Sequence, residues 1–109
     1  MYNSGEVVLI PVPFTELSTT KRRPVLIISN NNYNSSKPDI VVAAVTSNIL
    51  QPGVLLSNND METGTLPKQS IIRFDKIYTL DQSIVIKSIG HVTNAILDSV
   101  RTEIIDLIS

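Results

Sequence analysis

Short runs rich in Val and Ile, separated by segments of Asn, Ser, Asp and Gly, fill this chain until a different pattern begins near Thr93. β-Branched residues in short runs favour half-buried pleated strands over helices. The runs predict strands at Glu6 to Val12, Val25 to Ser29, Ile40 to Thr46, Gly53 to Leu56, Ser70 to Phe74, Lys76 to Leu80 and Ile84 to Ile89. The intervening segments 30–38 and 57–64 have the composition of turns and are expected as surface loops. In the tail, Ile96, Val100, Ile104 and Leu107 recur at helical spacing behind a candidate N-cap, Thr93. One amphipathic helix needs a sheet to pack on, and several short twisted strands commonly resolve their unpaired edges by curling into a barrel. The expectation is a mainly β protein with a C-terminal helix, built as a small, partly open barrel in one domain spanning residues 1–109.

A chain of 109 residues can bury a core of its own. With 42% hydrophobic residues, 17% charged residues and a mean hydropathy of +0.16, it has apolar surface to cover, which suggests a partner, such as a second copy of itself. No cysteine is present, so neither a disulfide framework nor a thiolate nucleophile is available. The start, Met1-Tyr2-Asn3-Ser4, lacks a basic stretch followed by an apolar run, and no segment has the length of a membrane span; the expected setting is soluble and cytoplasmic.

Nine Lys and Arg against ten Asp and Glu leave a net charge of −1, so any attraction for nucleic acid must be local. The densest positive cluster is Lys21-Arg22-Arg23, followed by Pro24 and the apolar run Val25 to Ile28. Pro24 fixes its own φ and biases Arg23 toward extended backbone, so a guanidinium is held at the mouth of a buried strand. Its planar fork of donors suits phosphate, although a solvated basic turn would read the same way from these residues alone.

Other chemistries are poorly furnished. Gly5, Gly53, Gly64 and Gly90 are too scattered for a dinucleotide fingerprint or a phosphate-cradling loop. His91 is the sole histidine, so neither a serine triad nor a two-histidine ribonuclease site can be assembled; at a strand end after Gly90 it reads as structural, with a helix-start anion site as the alternative. Asp39, Asp60, Glu62, Asp75 and Asp81 lie in different segments, which argues against a metal site, and no cofactor is expected. An enzyme made from this chain would rely on Arg, Thr, Ser, Asp and Lys. Cleavage of RNA by its own 2′-hydroxyl fits that inventory, since it needs positioning, proton transfer and positive charge at the phosphate rather than a protein nucleophile.

Four segments in register carry a family resemblance: Gly5-Glu6-Val7-Val8, Arg23-Pro24-Val25-Leu26-Ile27-Ile28-Ser29-Asn30, Val42-Ala43-Ala44-Val45-Thr46-Ser47, and Ser70-Ile71-Ile72-Arg73-Phe74-Asp75-Lys76-Ile77-Tyr78-Thr79-Leu80-Asp81. Their order and spacing, with the closing helix, resemble the MazF/PemK toxin family over nearly the whole chain. The resemblance implies that family's SH3-like barrel, shared with the CcdB toxins. It also implies sequence-selective, metal-independent endoribonuclease activity on single-stranded RNA, with a 2′,3′-cyclic phosphate and a 5′-hydroxyl as products. A homodimer follows as well, together with a cognate antitoxin whose acidic tail fills the RNA groove. By the same resemblance Arg23 and Thr46 match the catalytic arginine and threonine. Ser47 is expected beside the scissile phosphate, Asp75 and Lys76 fall in the RNA-binding region, and Lys21 and Arg22 are placed on neighbouring phosphates.

The residues themselves are compatible with these roles. Strand alternation puts Thr46 on the face of Val42 and Ala44, at a strand end where a hydroxyl tolerates exposure. Arginine stays protonated, so Arg23 is assigned to charge stabilisation and hydrogen-bond donation, and the general base is left open. The chain departs from the family pattern at Lys76, where an amide is frequent, and at Tyr78, which suits either base stacking or a barrel or interface role. Glu6 replaces a frequent Asp, and Thr15, Glu16 and Ser18 stand where glycines are common, which predicts a stiffer first loop. Two readings of other classes remain open: a gyrase poison akin to CcdB, which would need neither Arg23 nor Thr46, and an SH3-like interaction module, for which aromatic residues are few.

Overall fold

A computed structural model of the chain describes residues 1–13 and 20–109. Among the described residues seven strands form one antiparallel sheet: β1 (Glu6–Pro13), β2 (Thr20–Ile27), β3 (Asp39–Thr46), β4 (Val54–Leu56), β5 (Met61–Gly64), β6 (Ser70–Asp81) and β7 (Lys87–Val92). A short helix α1 (Asn31–Ser36) links β2 to β3, and α2 (Asn94–Ile108) closes the chain. The strand order is β4-β6-β3-β2-β1-β7-β5, so β4 and β5 lie at opposite edges. Only residues 57–60 join these two strands. That link reaches at most about 18 Å, whereas seven flat strands would separate the edges by roughly 29 Å. The sheet therefore curls until its edges come close, giving the expected partly open barrel with a C-terminal helix.

Alternation sorts the core onto both faces of the central strands. Val7, Leu26, Ala43 and Val45 point to one side, where Leu56, Ile72, Val92, Leu97 and Val100 complete a cluster under α2. Val8, Ile10, Val25, Ile27, Ile40 and Val42 point to the other, partly covered by Tyr2, Leu80 and Val85. Strands covered on both faces read as continuous apolar runs, which is why β2 and β3 were conspicuous in the sequence. Thr93 caps α2 by accepting from the Ile96 amide, as expected. Leu97 and Val100 are its buried residues, whereas Leu107, expected on the packed stripe, is 52% exposed.

Several expectations need correction. Residues 57–64 are not a plain loop: a 3₁₀ turn over Asn58–Asp60 leads into β5, which pairs with β7. Residues 30–38 contain α1, started by Asn30 accepting from the Tyr33 amide. The runs at Ser70 to Phe74 and Lys76 to Leu80 are one strand, β6, whose register against β3 jumps from Ala43↔Ile77 to Ala44↔Arg73, so residues 74–76 bulge. The run expected at Ile84 to Ile89 begins only at Lys87, because Gln82–Ile84 form a 3₁₀ turn capped by Asp81. Lys21-Arg22-Arg23 is not a turn ahead of a strand: all three lie within β2 and pair with Val12, Pro11 and Ile10. The expectation about Thr15, Glu16 and Ser18 falls outside the described residues.

Two polar clips hold the barrel ends. Buried Asn34 accepts from Ser29 Oγ and donates to the Ser29 carbonyl, while Ser29 Oγ accepts from the Val41 amide. Asn34→Ala strands these partners and is expected to cost about 1–3 kcal/mol in chemical denaturation. His91 is structural: its ring nitrogens lie 2.7 and 2.8 Å from the carbonyl oxygens of Val92 and Ser4, which leaves no anion site there.

Candidate functional site

β2 pairs with β3 only through Val25↔Ala44, Leu26↔Ala43 and Ile27↔Val42, while its pairing with β1 continues to Thr20. Pro24, which has no amide proton, stands where β2 parts from β3. Continued two further steps, the same register would bring Arg23 opposite Thr46. The two residues thus flank the point where the strands part, at a fork in the sheet. A cavity of about 700 Å³ opens on one side of this fork and another of about 330 Å³ on the other. Arg23, Pro24, Val45 and Thr46 line both.

The sequence-predicted residues divide between these cavities. Arg23 and Thr46 form the shared wall; Lys21, Arg22 and Ser47 line the smaller cavity; Lys76 lines the larger one beside Tyr78. Asp75 lines neither. It turns back on Arg73, which donates from Nε to Oδ1 and from Nη2 to Oδ2, both at 2.9 Å. Arg73 also donates from Nη1 to Gln51 Oε1 at 2.7 Å, tying the segment after β3 to the β6 bulge. The bulge is thus what swings Lys76 into the cavity and Asp75 onto Arg73.

Sequence reasoning did not select Arg73, Asn48 and Gln51 in the larger cavity or Lys68 in the smaller. Lys68 and Arg73 were visible as positive residues; the amides carried no signal, because their placement depends on the chain reversal after Thr46. Six of the nine Lys and Arg residues, Lys21, Arg22, Arg23, Lys68, Arg73 and Lys76, line the two cavities. Among the described residues no Asp or Glu does. A chain of net charge −1 therefore gathers most of its positive side chains around this fork, which concentrates polyanions locally.

The Arg73 pair leaves a pH signature. Its hydrogen bonds to the guanidinium hold the Asp75 carboxyl below its ordinary value and raise Arg73 above its own. A carboxyl depressed in the folded state stabilises the fold above its unfolded value of about 3.9, and that contribution fades as pH falls through the lower folded value. Asp81, depressed by the Ser83 amide, titrates in the same window. Asp75→Asn is therefore expected to make the loss of thermal stability below about pH 4 shallower without abolishing it, as read by melting curves taken between pH 2 and pH 7.

Fold and site together define a small curled β-sheet protein, closed by one helix, with a cationic cleft at a strand fork. The chain belongs to the PemK-like, MazF-like toxin family of type II toxin–antitoxin systems, whose family model matches residues 3–108. Among solved structures it is similar to a mycobacterial endoribonuclease in complex with its cognate antitoxin, at 21% identity and TM-score 0.74, covering 99% of this chain and 95% of that one. It is also similar to a MazE–MazF structure from Deinococcus radiodurans, at 19% identity and TM-score 0.77, covering 98% and 95%. A MazF toxin of Mycobacterium tuberculosis matches at 17% identity and TM-score 0.70, covering 94% and 93%. At these identities the likeness is one of fold. No curated protein matches the chain at a significant level. No helix among the described residues is long and apolar enough to cross a membrane.

Proposed function

We propose that the chain is a sequence-selective endoribonuclease toxin that cuts single-stranded RNA at the fork between Arg23 and Thr46. The observation that carries this reading is that both residues stand on a wall shared by two cationic cavities lined by no described carboxylate. A strand of RNA laid across that wall puts a phosphate at the fork and its neighbours over the Lys21, Arg22 and Lys68 side and the Arg73 and Lys76 side.

The 2′-oxygen attacks the adjacent phosphorus, the bond to the 5′-oxygen breaks, and the products are a 2′,3′-cyclic phosphate and a 5′-hydroxyl. Negative charge grows on the non-bridging oxygens, where a fixed guanidinium stabilises it most. Thr46 Oγ accepts from the Asn48 amide at 3.1 Å, which leaves its own proton to donate to a phosphate oxygen. A general base takes the 2′-hydroxyl proton and one proton is returned to the departing 5′-oxygen, so the step balances, and Ser47 sits beside Thr46 on the flanking cavity. A divalent cation would face arginines and lysines here rather than carboxylates, so the proposed reaction is metal-independent.

The same cationic cleft suits an acidic segment of a cognate antitoxin, a partner seen with the mycobacterial and Deinococcus relatives. Exposed Ile49, Leu50 and Leu55 and, on α2, Ile105, Leu107 and Ile108 supply apolar surface for the proposed homodimer. The deciding experiment incubates purified protein with a long, weakly structured RNA in EDTA and analyses the product ends. Cyclic phosphates and 5′-hydroxyls at recurring sites are expected; a magnesium requirement, a directly formed 3′-phosphate, or inhibition of gyrase supercoiling without RNA cleavage would overturn the reading.

A further inference from the structure

Most side-chain hydrogen-bonding groups of the larger cavity donate, the Thr46 and Tyr78 hydroxyls, which can also accept, being the exceptions. Gln51 Oε1 accepts from Arg73 Nη1, and because a guanidinium cannot accept, this bond dictates that the amide nitrogen Nε2 is the end left over. Asn48 is oriented in the same way: its Oδ1 accepts from the Leu50 backbone N–H at 3.2 Å, leaving Nδ2. Neither amide nitrogen has a partner among the described residues. Arg73 and Lys76 can only donate, and the carboxylate next to them in sequence, Asp75, has both oxygens engaged by Arg73.

We infer that this cavity selects keto bases, uracil or guanine, over amino bases, with Gln51 and Asn48 as the specificity-determining residues. Uracil and guanine present carbonyl oxygens where cytosine and adenine present exocyclic amino groups, and an amino group aimed at these amides would set donor against donor. The donors could equally serve phosphate, but the rest of the lining favours a base. Ile10, Pro11, Val25 and Leu80 contribute apolar lining, and half-exposed Tyr78 lines the cavity with them. Such surfaces suit the flat face of an unstacked base, as single-strand recognition generally uses them. Arg23 at the fork is left for the phosphate. The inference rests on the RNA-binding reading and adds the identity of the base next to the cut.

The test uses two matched pairs of short 2′-O-methyl oligonucleotides, which cannot be cleaved through the 2′-oxygen. Uridine is compared with cytidine and inosine with adenosine, so each pair differs by one keto-to-amino exchange and the accompanying switch of the adjacent ring nitrogen from donor to acceptor. Fluorescence anisotropy should show the keto member binding roughly tenfold or more tightly in each pair, the size of a specific hydrogen-bonded base contact. Gln51→Glu and Asn48→Asp keep one oxygen for the existing bond and turn the other toward the cavity as an acceptor. Each should lower the keto-to-amino ratio, whatever the added charge does to affinity overall. Equal binding of both members of each pair, tighter binding of the amino members, or ratios unchanged in both variants would overturn the inference. Cleavage of unmodified RNA by the same protein reports separately on the nuclease reading, so the two fail independently.

Discussion

Replacing Arg23 with alanine is expected to lower RNA cleavage a hundredfold or more while leaving thermal unfolding close to that of the parent. The loss follows from position: Arg23 borders both cavities at the fork together with Thr46, where a cleaved phosphate would gather negative charge. Removing one preorganised donor to such a charge typically costs about 2.7–4 kcal/mol of barrier, or roughly 10² to 10³ in rate. The fold should tolerate the change because Arg23 is exposed and its strand pairing with Ile10 uses the backbone; exposed substitutions usually stay within about 0.5 kcal/mol. Arg23→Lys keeps the charge but not the planar fork, and should fall between parent and alanine variant. The measurement is the initial rate on one RNA in EDTA, with a melting curve for each variant. If Arg23→Ala cuts as fast as the parent, the assignment of the fork as the reaction centre is wrong.

Gly64→Ala acts on the fold instead and should destabilise it by about 2–5 kcal/mol, lowering the melting temperature by on the order of 10–20 °C. Gly64 has φ +78° and lies opposite Gly90, φ +153°, where β5 meets β7. A Cβ on Gly64 would run into the Ile89 carbonyl oxygen and come within 2.6 Å of the Gly90 Cα. Both obstacles are backbone, which cannot rotate aside as a side chain would. Strain from left-handed backbone adds to the collision, so the cost combines two terms. If Gly64→Ala melts within a few degrees of the parent, the β5–β7 contact does not contribute to closing the barrel as described.

The core strands were legible because their evidence is local: β2 and β3 are covered on both faces, and their Val and Ile runs say so without reference to any partner. β5 was not. Met61-Glu62-Thr63-Gly64 has no apolar alternation, and it is a strand only because the curled sheet brings β7 beside it. α1 was hidden in Asn and Ser, residues that favour turns, and owes its place to the Asn30 cap and the Asn34 clip to Ser29. Two strands were expected where β6 is one, because Asp75 interrupts the apolar pattern and the bulge that accommodates it is set by pairing with β3.

The candidate site divides along the same line. Arg23 and Thr46 carry enough local pattern, a proline-held arginine ahead of an apolar run and a threonine at a strand end, to be singled out by family resemblance. The sequence by itself determined a mainly β chain with a capped terminal helix, its principal core strands, and these two residues as the pair to test, since propensity, alternation and capping act over a few residues. Only the tertiary structure decided that Arg23 and Thr46 share the walls of both cavities, that Asp75 is held by Arg73, and that Gln51 and Asn48 line the cleft with their amide oxygens already engaged. Those facts depend on strand pairing and on contacts such as that between Arg73 and Gln51, 22 residues apart, which chain reversal and barrel closure bring together and no local pattern records.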